Sequence, residues 1–207
     1  MVRSSSIAVC AALMAACASA PSRPSPAAAS QQLGRYPLRA PPPSLQAAAS
    51  RADQAIERFR QRVTREYMEE VARRGPAAAV DALHAVDPPI AVDVLQETGC
   101  EVGRTSGRLR NPRNAPPAWV EPLLANGGAR RAAEVEPVVV DLGDRVGVAR
   151  PIALYSNCLD CHGSATHVSP RVRTAIAAAY PADRAMGYAE GELRGFYWAE
   201  APKQRVR

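Results

Sequence analysis

The sequence has few aromatic residues and almost no lysine. Only 5% of its 207 residues are aromatic, although 47% are hydrophobic, and much of that share is alanine. A core must therefore combine small aliphatic side chains with a few large ones. Of the 26 basic residues only Lys203 is a lysine, and no five basic residues are consecutive. The net charge of +6 is thus spread along the chain, which argues against nucleic acid as a partner.

Long hydrophobic runs are missing except near the start of the chain. Ile7–Ala16 follows Arg3 and is too short to span a bilayer stably, so residues 1–16 are predicted to be a signal peptide. Met14-Ala15-Ala16-Cys17 resembles a bacterial lipobox, and the competing Ala18-Ser19-Ala20 suits ordinary signal peptidase. We expect a periplasmic protein attached to the membrane by a lipid on Cys17. The alternative is a soluble secreted or periplasmic protein.

The remaining chain divides into a tether and one domain. Residues 17–43, with a stretch rich in proline, alanine and serine, are predicted to form a disordered tether, and residues 44–207 a single domain. Apolar residues recur every three or four positions from Ser44 to Arg74, which predicts a long amphipathic helix. Pro76 suits the start of a second helix, which Asp87-Pro88-Pro89 should end before a short third one reaching Gln96.

The second half of the domain alternates irregular segments, strands and short helices. Residues 100–118 lack a clear pattern and are predicted to be irregular. Short helices are predicted at Trp119–Leu124 and from Ser169 through Ala179, and strands at Val135–Asp141, Val146–Pro151 and Leu193–Trp198. The order predicts an α+β fold, with a small antiparallel sheet, a long N-terminal helix and helical insertions.

One motif carries specific chemistry. Cys158-Leu159-Asp160-Cys161-His162 reads C-x-x-C-H, the attachment signature of c-type haem. Two intervening residues place the thiols about one helical turn apart, which suits thioether bonds to the two vinyl groups of the porphyrin. The following histidine then reaches the iron. We therefore predict one covalent haem c, held by Cys158 and Cys161, with His162 as the first axial ligand.

Other uses of these cysteines remain open. They suit a redox disulfide, although the rest of a βαβ pattern is missing. They also suit a structural disulfide in an oxidising compartment. A zinc site with His162 or His167 and Cys100 is a third use, although the sequence has no second paired cysteine motif.

Three blocks of residues resemble a known family. They run from Glu97 to Pro116, from Cys158 to His162, and from Tyr180 to Gly195. On these blocks, residues 79–198 resemble the Tll-like c-type haem-binding domain family. The resemblance implies a PAS-like α+β fold, with the long first helix packed on it. It also implies a single haem, with a role in redox sensing or electron transfer.

The resemblance leaves the second axial ligand open. It implies a cysteine at the position of Leu83, and leucine cannot bind iron. His84, the next residue, is our candidate ligand because neutral imidazole binds haem iron well. Cys100, Met186 and a vacant or water-filled position are the alternatives.

Arginines are the candidate partners of the haem propionates. Arg104, Arg110 and Arg194 are suited to paired hydrogen bonds with a carboxylate, although Arg104 and Arg110 equally suit a structural loop. We expect an exported haem protein that senses redox state or a diatomic gas, or transfers single electrons, with a separate redox or signalling partner. The alternatives are a small peroxidase-like haem enzyme, which is less favoured, and a non-haem structural lipoprotein.

Overall fold

The computed structural model describes residues 33–125 and 130–204, with the side chains of residues 84–86 left out. Its elements are β1 (Arg35–Pro37), α1 (Pro43–Arg74), α2 (Pro76–Thr98), β2 (Glu101–Thr105), α3 (Glu121–Ala125), β3 (Val138–Asp141), β4 (Arg145–Ala153), α4 (Leu159–His162), α5 (Pro170–Ala179) and β5 (Leu193–Pro202). Residues 1–32 lie outside the described part, and with them the predicted signal peptide, Cys17 and most of the predicted tether. None of the described helices is long and apolar enough to cross a membrane.

The five strands form one antiparallel sheet in the order β1-β3-β4-β5-β2. This confirms the predicted α+β fold with a small antiparallel sheet and a long N-terminal helix. One difference lies at the edge, where Arg35–Pro37 pairs with Val138–Val140. The predicted tether reached residue 43, so its C-terminal boundary was placed too late. The strand was missed because three residues are too few to show an alternating pattern.

Helix α1 covers one face of the sheet. Its apolar positions, among them Ala52, Ile56 and Phe59, are buried in the main core with Val148 and Ala199 of the sheet. The opposite face of the sheet packs on a second cluster that consists of Trp119, Val120, Val140, Ala149 and Phe196. Residues one apart on β4 and β5 therefore face different layers, as the period of two in a strand requires.

Helix α2 corrects the prediction of two helices separated at Asp87. The structure has one helix from Pro76 to Thr98, with Pro88 and Pro89 inside it. Each proline removes one backbone N–H, which normally interrupts a helix. Here the helix packs against α1 on one side and α5 on another, and Asp87 forms an ion pair with Arg104 of β2. Tertiary contacts therefore outweigh the local preference.

Strand β2 corrects the prediction that residues 100–118 are irregular. Glu101–Thr105 pairs with Phe196–Glu200 of β5 along its whole length. Gly103 weakened the strand pattern in the sequence, but a small residue is required there. A Cβ at this position would lie 2.7 Å from the indole of Trp198. The glycine thus marks a close approach of an aromatic side chain rather than a loop.

Gly195 provides a test of the sheet. Its φ is 154°, and a Cβ would overlap the carbonyl oxygen of Thr105. We expect Gly195→Ala to lower the free energy of unfolding by about 2–3 kcal/mol, measured by urea denaturation. Gly107→Ala is the control, because a Cβ at Gly107 meets nothing within 4 Å. Equal effects of the two substitutions would contradict the role of Gly195.

Candidate functional site

The C-x-x-C-H motif follows directly from strand β4. After Ala153 the chain passes through a 3-10 turn, Ser156–Cys158, into the short helix α4. Cys158 itself has right-handed helical dihedral angles, φ −71° and ψ −25°. Positions three apart on a helix lie on the same side. The two thiols, which are both free, are therefore displayed together, as the spacing predicts.

Both cysteines and His162 line one cavity of about 700 Å³. This is within the roughly 300–1,000 Å³ of pockets that hold small molecules and cofactors. Helices α1 and α2, strands β2, β4 and β5 and the segment that follows β2 provide much of the remaining wall. The cavity also brings together the three arginines predicted to bind propionates, Arg104, Arg110 and Arg194.

The imidazole of His162 has a defined orientation. Its Nδ1 lies 2.7 Å from the carbonyl oxygen of Ala185, and since a carbonyl only accepts, Nδ1–H donates. This leaves Nε2 as the nitrogen free to bind a metal, an arrangement typical of metal-bound histidines. Burial, followed by the charges of Arg110 and Arg194, holds the pKa of His162 well below its usual 6.5. The ring is therefore neutral at pH 7, as a ligand must be.

A buried ion pair holds the segment that supplies Ala185. The guanidinium of Arg110 donates to Asp183 at 3.1 Å and to the carbonyl oxygen of Cys161 at 2.6 Å. Asp183 in turn accepts the backbone N–H of Ala185 at 2.9 Å. Arg110 thus connects the motif to the loop that orients His162. The sequence analysis assigned no role to Asp183, and its place in the third resemblance block was the one available signal.

The other two arginines differ in their contacts. Arg104 makes a two-bond contact with Asp87, at 2.7 and 3.1 Å. Arg194 donates instead to the backbone carbonyl of Arg108 at 3.0 Å, and burial lowers its pKa to about 10. The structure does place all three guanidinium-bearing residues on the cavity wall.

The candidates for the second axial ligand differ in whether they line the cavity. Leu83 lines the cavity, while the side chain of its neighbour His84 lies outside the described residues, so His84 stays a prediction. Cys100 is buried in the main core and Met186 packs beside α5. Neither is among the residues that line the cavity. These two alternatives therefore lose their support.

The cavity is also lined by residues that the sequence analysis did not single out as site candidates. Tyr67 and Met68, near the end of α1, both line the cavity, and Met68 is 51% exposed. Burial, followed by the nearby Cys161, raises the pKa of Tyr67 to about 12. Tyr67 belonged to the predicted apolar face of the helix, and only the structure shows that this face passes from the core to the cavity. His167, in contrast, is exposed.

The alternatives of a zinc site and a redox disulfide find little support. Among residues 33–125 and 130–204, no three His, Cys, Asp or Glu side chains form a group able to hold a metal ion. Burial raises the pKa of the Cys161 thiol, opposite to the direction that activates a redox dithiol. Two free thiols, one neutral imidazole and a cofactor-sized cavity instead fit the porphyrin that the motif predicts.

The neutral His162 predicts a pH dependence of stability. In the haem-free chain, unfolding exposes an imidazole that takes up a proton below about pH 6.5, whereas the folded state does not. Stability should therefore fall by about 1 kcal/mol between pH 7.5 and 5.5, measured by urea denaturation. His162→Gln should lack this part of the decline. If the free energy of unfolding depends on pH in the same way in both chains, the prediction is contradicted.

The structure thus defines an α+β domain that encloses a cofactor-sized cavity with a C-x-x-C-H motif on its wall. The sequence profile of the Tll0287-like family matches residues 43–202, and the chain belongs to this family. The fold is also similar to the crystal structure of the cyanobacterial heme-protein Tll0287, with a TM-score of 0.55 and 24% identity, over 81% of this chain and 100% of that chain. No curated protein sequence matches this chain.

Proposed function

We propose that this protein binds one haem covalently through Cys158 and Cys161, with His162 as an axial ligand of the iron. One observation carries the proposal. The two thiols and the imidazole line the same cavity, and the Nδ1–H···O=C bond to Ala185 leaves Nε2 free. Membership of a family with the cyanobacterial heme-protein Tll0287 as a structural relative supports it. When bound, haem supplies a one-electron couple and a binding position for small ligands.

We further propose that the role is one-electron transfer or the sensing of redox state or a diatomic gas. The chain's own residues orient the imidazole, keep it neutral and surround the cavity with arginines and apolar side chains. Leu83 on the wall cannot bind iron, which favours an exchangeable second axial position unless His84 fills it. We propose a periplasmic location, with a lipid on Cys17 and a redox or signalling protein as partner.

Extraction and ligand binding test these proposals. The protein, matured in a host that attaches c-type haem, should keep its red colour through extraction with acidified acetone. Loss of all colour to the solvent would contradict covalent attachment. Carbon monoxide added to the reduced protein should change its spectrum if the second axial position is exchangeable. An unchanged spectrum would favour electron transfer, and His84→Ala with unaltered bands would remove His84 as a ligand.

A further inference from the structure

The arginines on the cavity wall differ in whether they already hold a carboxylate. Four of the five form ion pairs with acidic side chains: Arg60 with Glu57 at 2.6 Å, Arg104 with Asp87 at 2.7 Å, Arg110 with Asp183 at 3.1 Å, and Arg150 with Asp53 at 3.4 Å. Arg194 is the exception. In the part of the chain that the structure describes, it forms no ion pair with an acidic side chain within 4.0 Å.

The contacts of Arg194 use only part of the hydrogen-bonding capacity of its guanidinium group. One Nη donates to the carbonyl oxygen of Arg108 at 3.0 Å, and the guanidinium carbon lies 5.5 Å from the centre of the Tyr188 ring. A guanidinium offers five N–H donors in a planar fork. Contact with a backbone oxygen and a ring face uses part of this capacity. The carboxylate of Asp183 also attracts the charge of Arg194, but its ion pair is with Arg110.

The position of Arg194 indicates which chemical group its guanidinium would bind. The residue is half-buried on β5 and lines the same cavity as Cys158, Cys161 and His162. A cation removed from water without a counter-charge is unfavourable, whereas a carboxylate matches the guanidinium fork with two charged hydrogen bonds. Haem carries two propionate carboxylates, which must be accommodated by whatever polar groups the cavity offers.

We propose that Arg194 binds a propionate of the haem, and that Arg104 and Arg110 serve the protein's own ion pairs. This inference rests on the proposed attachment of haem. Three arginines were candidates for binding the propionates. We select Arg194 because, of the three, it alone forms no ion pair with a carboxylate. Haemin dimethyl ester, in which both propionates are esterified, is the matching probe, because it keeps the ring and iron but removes the negative charges.

The test compares haemin with its dimethyl ester on the full chain carrying Cys158→Ala and Cys161→Ala, so that binding is reversible. With Arg194 present, we expect the ester to bind about tenfold or more weakly than haemin. Arg194→Met should remove most of this difference, and Arg194→Lys should retain part of it. Arg60→Met is the control that keeps the difference, since Arg60 already pairs with Glu57.

An undiminished preference for haemin in the Arg194→Met chain would overturn the proposal. If the chain that carries Cys158→Ala and Cys161→Ala takes up neither porphyrin, the reduction potential of the matured holoprotein tests the proposal instead. Arg194→Met should then add a pH-dependent step to the reduction potential between about pH 5 and 8, because the released propionate can be protonated. Superimposable profiles would overturn the proposal. Failure of the proposed function can be told apart from failure of the Arg194 proposal, because the matured wild-type chain would then carry no haem.

Discussion

A His162→Gly variant is expected to lose the visible spectrum of the wild-type holoprotein and to regain it when imidazole is added. The cysteines that would hold the porphyrin are unchanged in this variant, whereas the iron would lose the nitrogen ligand that we propose for it. Removing the ring also leaves the Ala185 carbonyl, which accepts the Nδ1–H at 2.7 Å, facing an empty space. Free imidazole can occupy this space and donate to the same carbonyl. Absorption spectroscopy during an imidazole titration measures the recovery.

His167→Gly is the matched control for that experiment. His167 lies five residues further along and is exposed, and its Nε2 is 3.9 Å from the exposed Asp160. We expect this variant to keep the wild-type spectrum with or without imidazole. A wild-type spectrum in the His162→Gly protein, or an equal change in the His167→Gly protein, would contradict the assignment of His162. Imidazole present during maturation tests whether attachment itself requires the ligand.

Removing the guanidinium of Arg110 should destabilise the protein by about 3–5 kcal/mol. The side chains of Arg110 and Asp183 are only 13% and 9% exposed, so Arg110→Ala leaves a buried carboxylate without its counter-charge. The carbonyl oxygen of Cys161 loses a donor at the same time. Urea denaturation of the holoprotein measures the loss. The spectrum should change as well, because the loop carrying Ala185 loses the ion pair between Arg110 and Asp183 that holds it in place.

Two further variants separate the ion pair from a general effect of truncation. Arg113→Ala changes an exposed arginine three positions away and should alter the free energy of unfolding by less than about 0.5 kcal/mol. Arg110→Met combined with Asp183→Leu removes both charges and should recover much of the stability lost in Arg110→Ala. A loss below about 1 kcal/mol in Arg110→Ala would show that the pair contributes little.

The sequence predicted the elements whose signal is local. Helix α1 was predicted at Ser44–Arg74 and is found at Pro43–Arg74, because its apolar residues repeat with the helical period. The C-x-x-C-H motif needs only five consecutive residues, and its helical backbone follows from that spacing. The third predicted strand, Leu193–Trp198, was also found, although its pairing extends it to Pro202.

The elements that were missed depend on distant contacts. Helix α2 continues through Pro88 and Pro89 because it packs between two other helices. Strand β2 exists because β5, almost a hundred residues later, offers a partner along its length. The Arg110–Asp183 pair joins positions 73 residues apart. No local pattern in a single sequence records such pairings, since each partner alone resembles an ordinary polar residue.

The intact mass of the matured protein shows whether haem is covalently attached to it. Under denaturing conditions we expect the mass of the processed polypeptide plus one haem, since thioether bonds survive unfolding. The chain with Cys158→Ser and Cys161→Ser, prepared in the same host, should show the polypeptide mass alone. A wild-type mass equal to the bare polypeptide, in a host that attaches haem to other proteins, would contradict the claim.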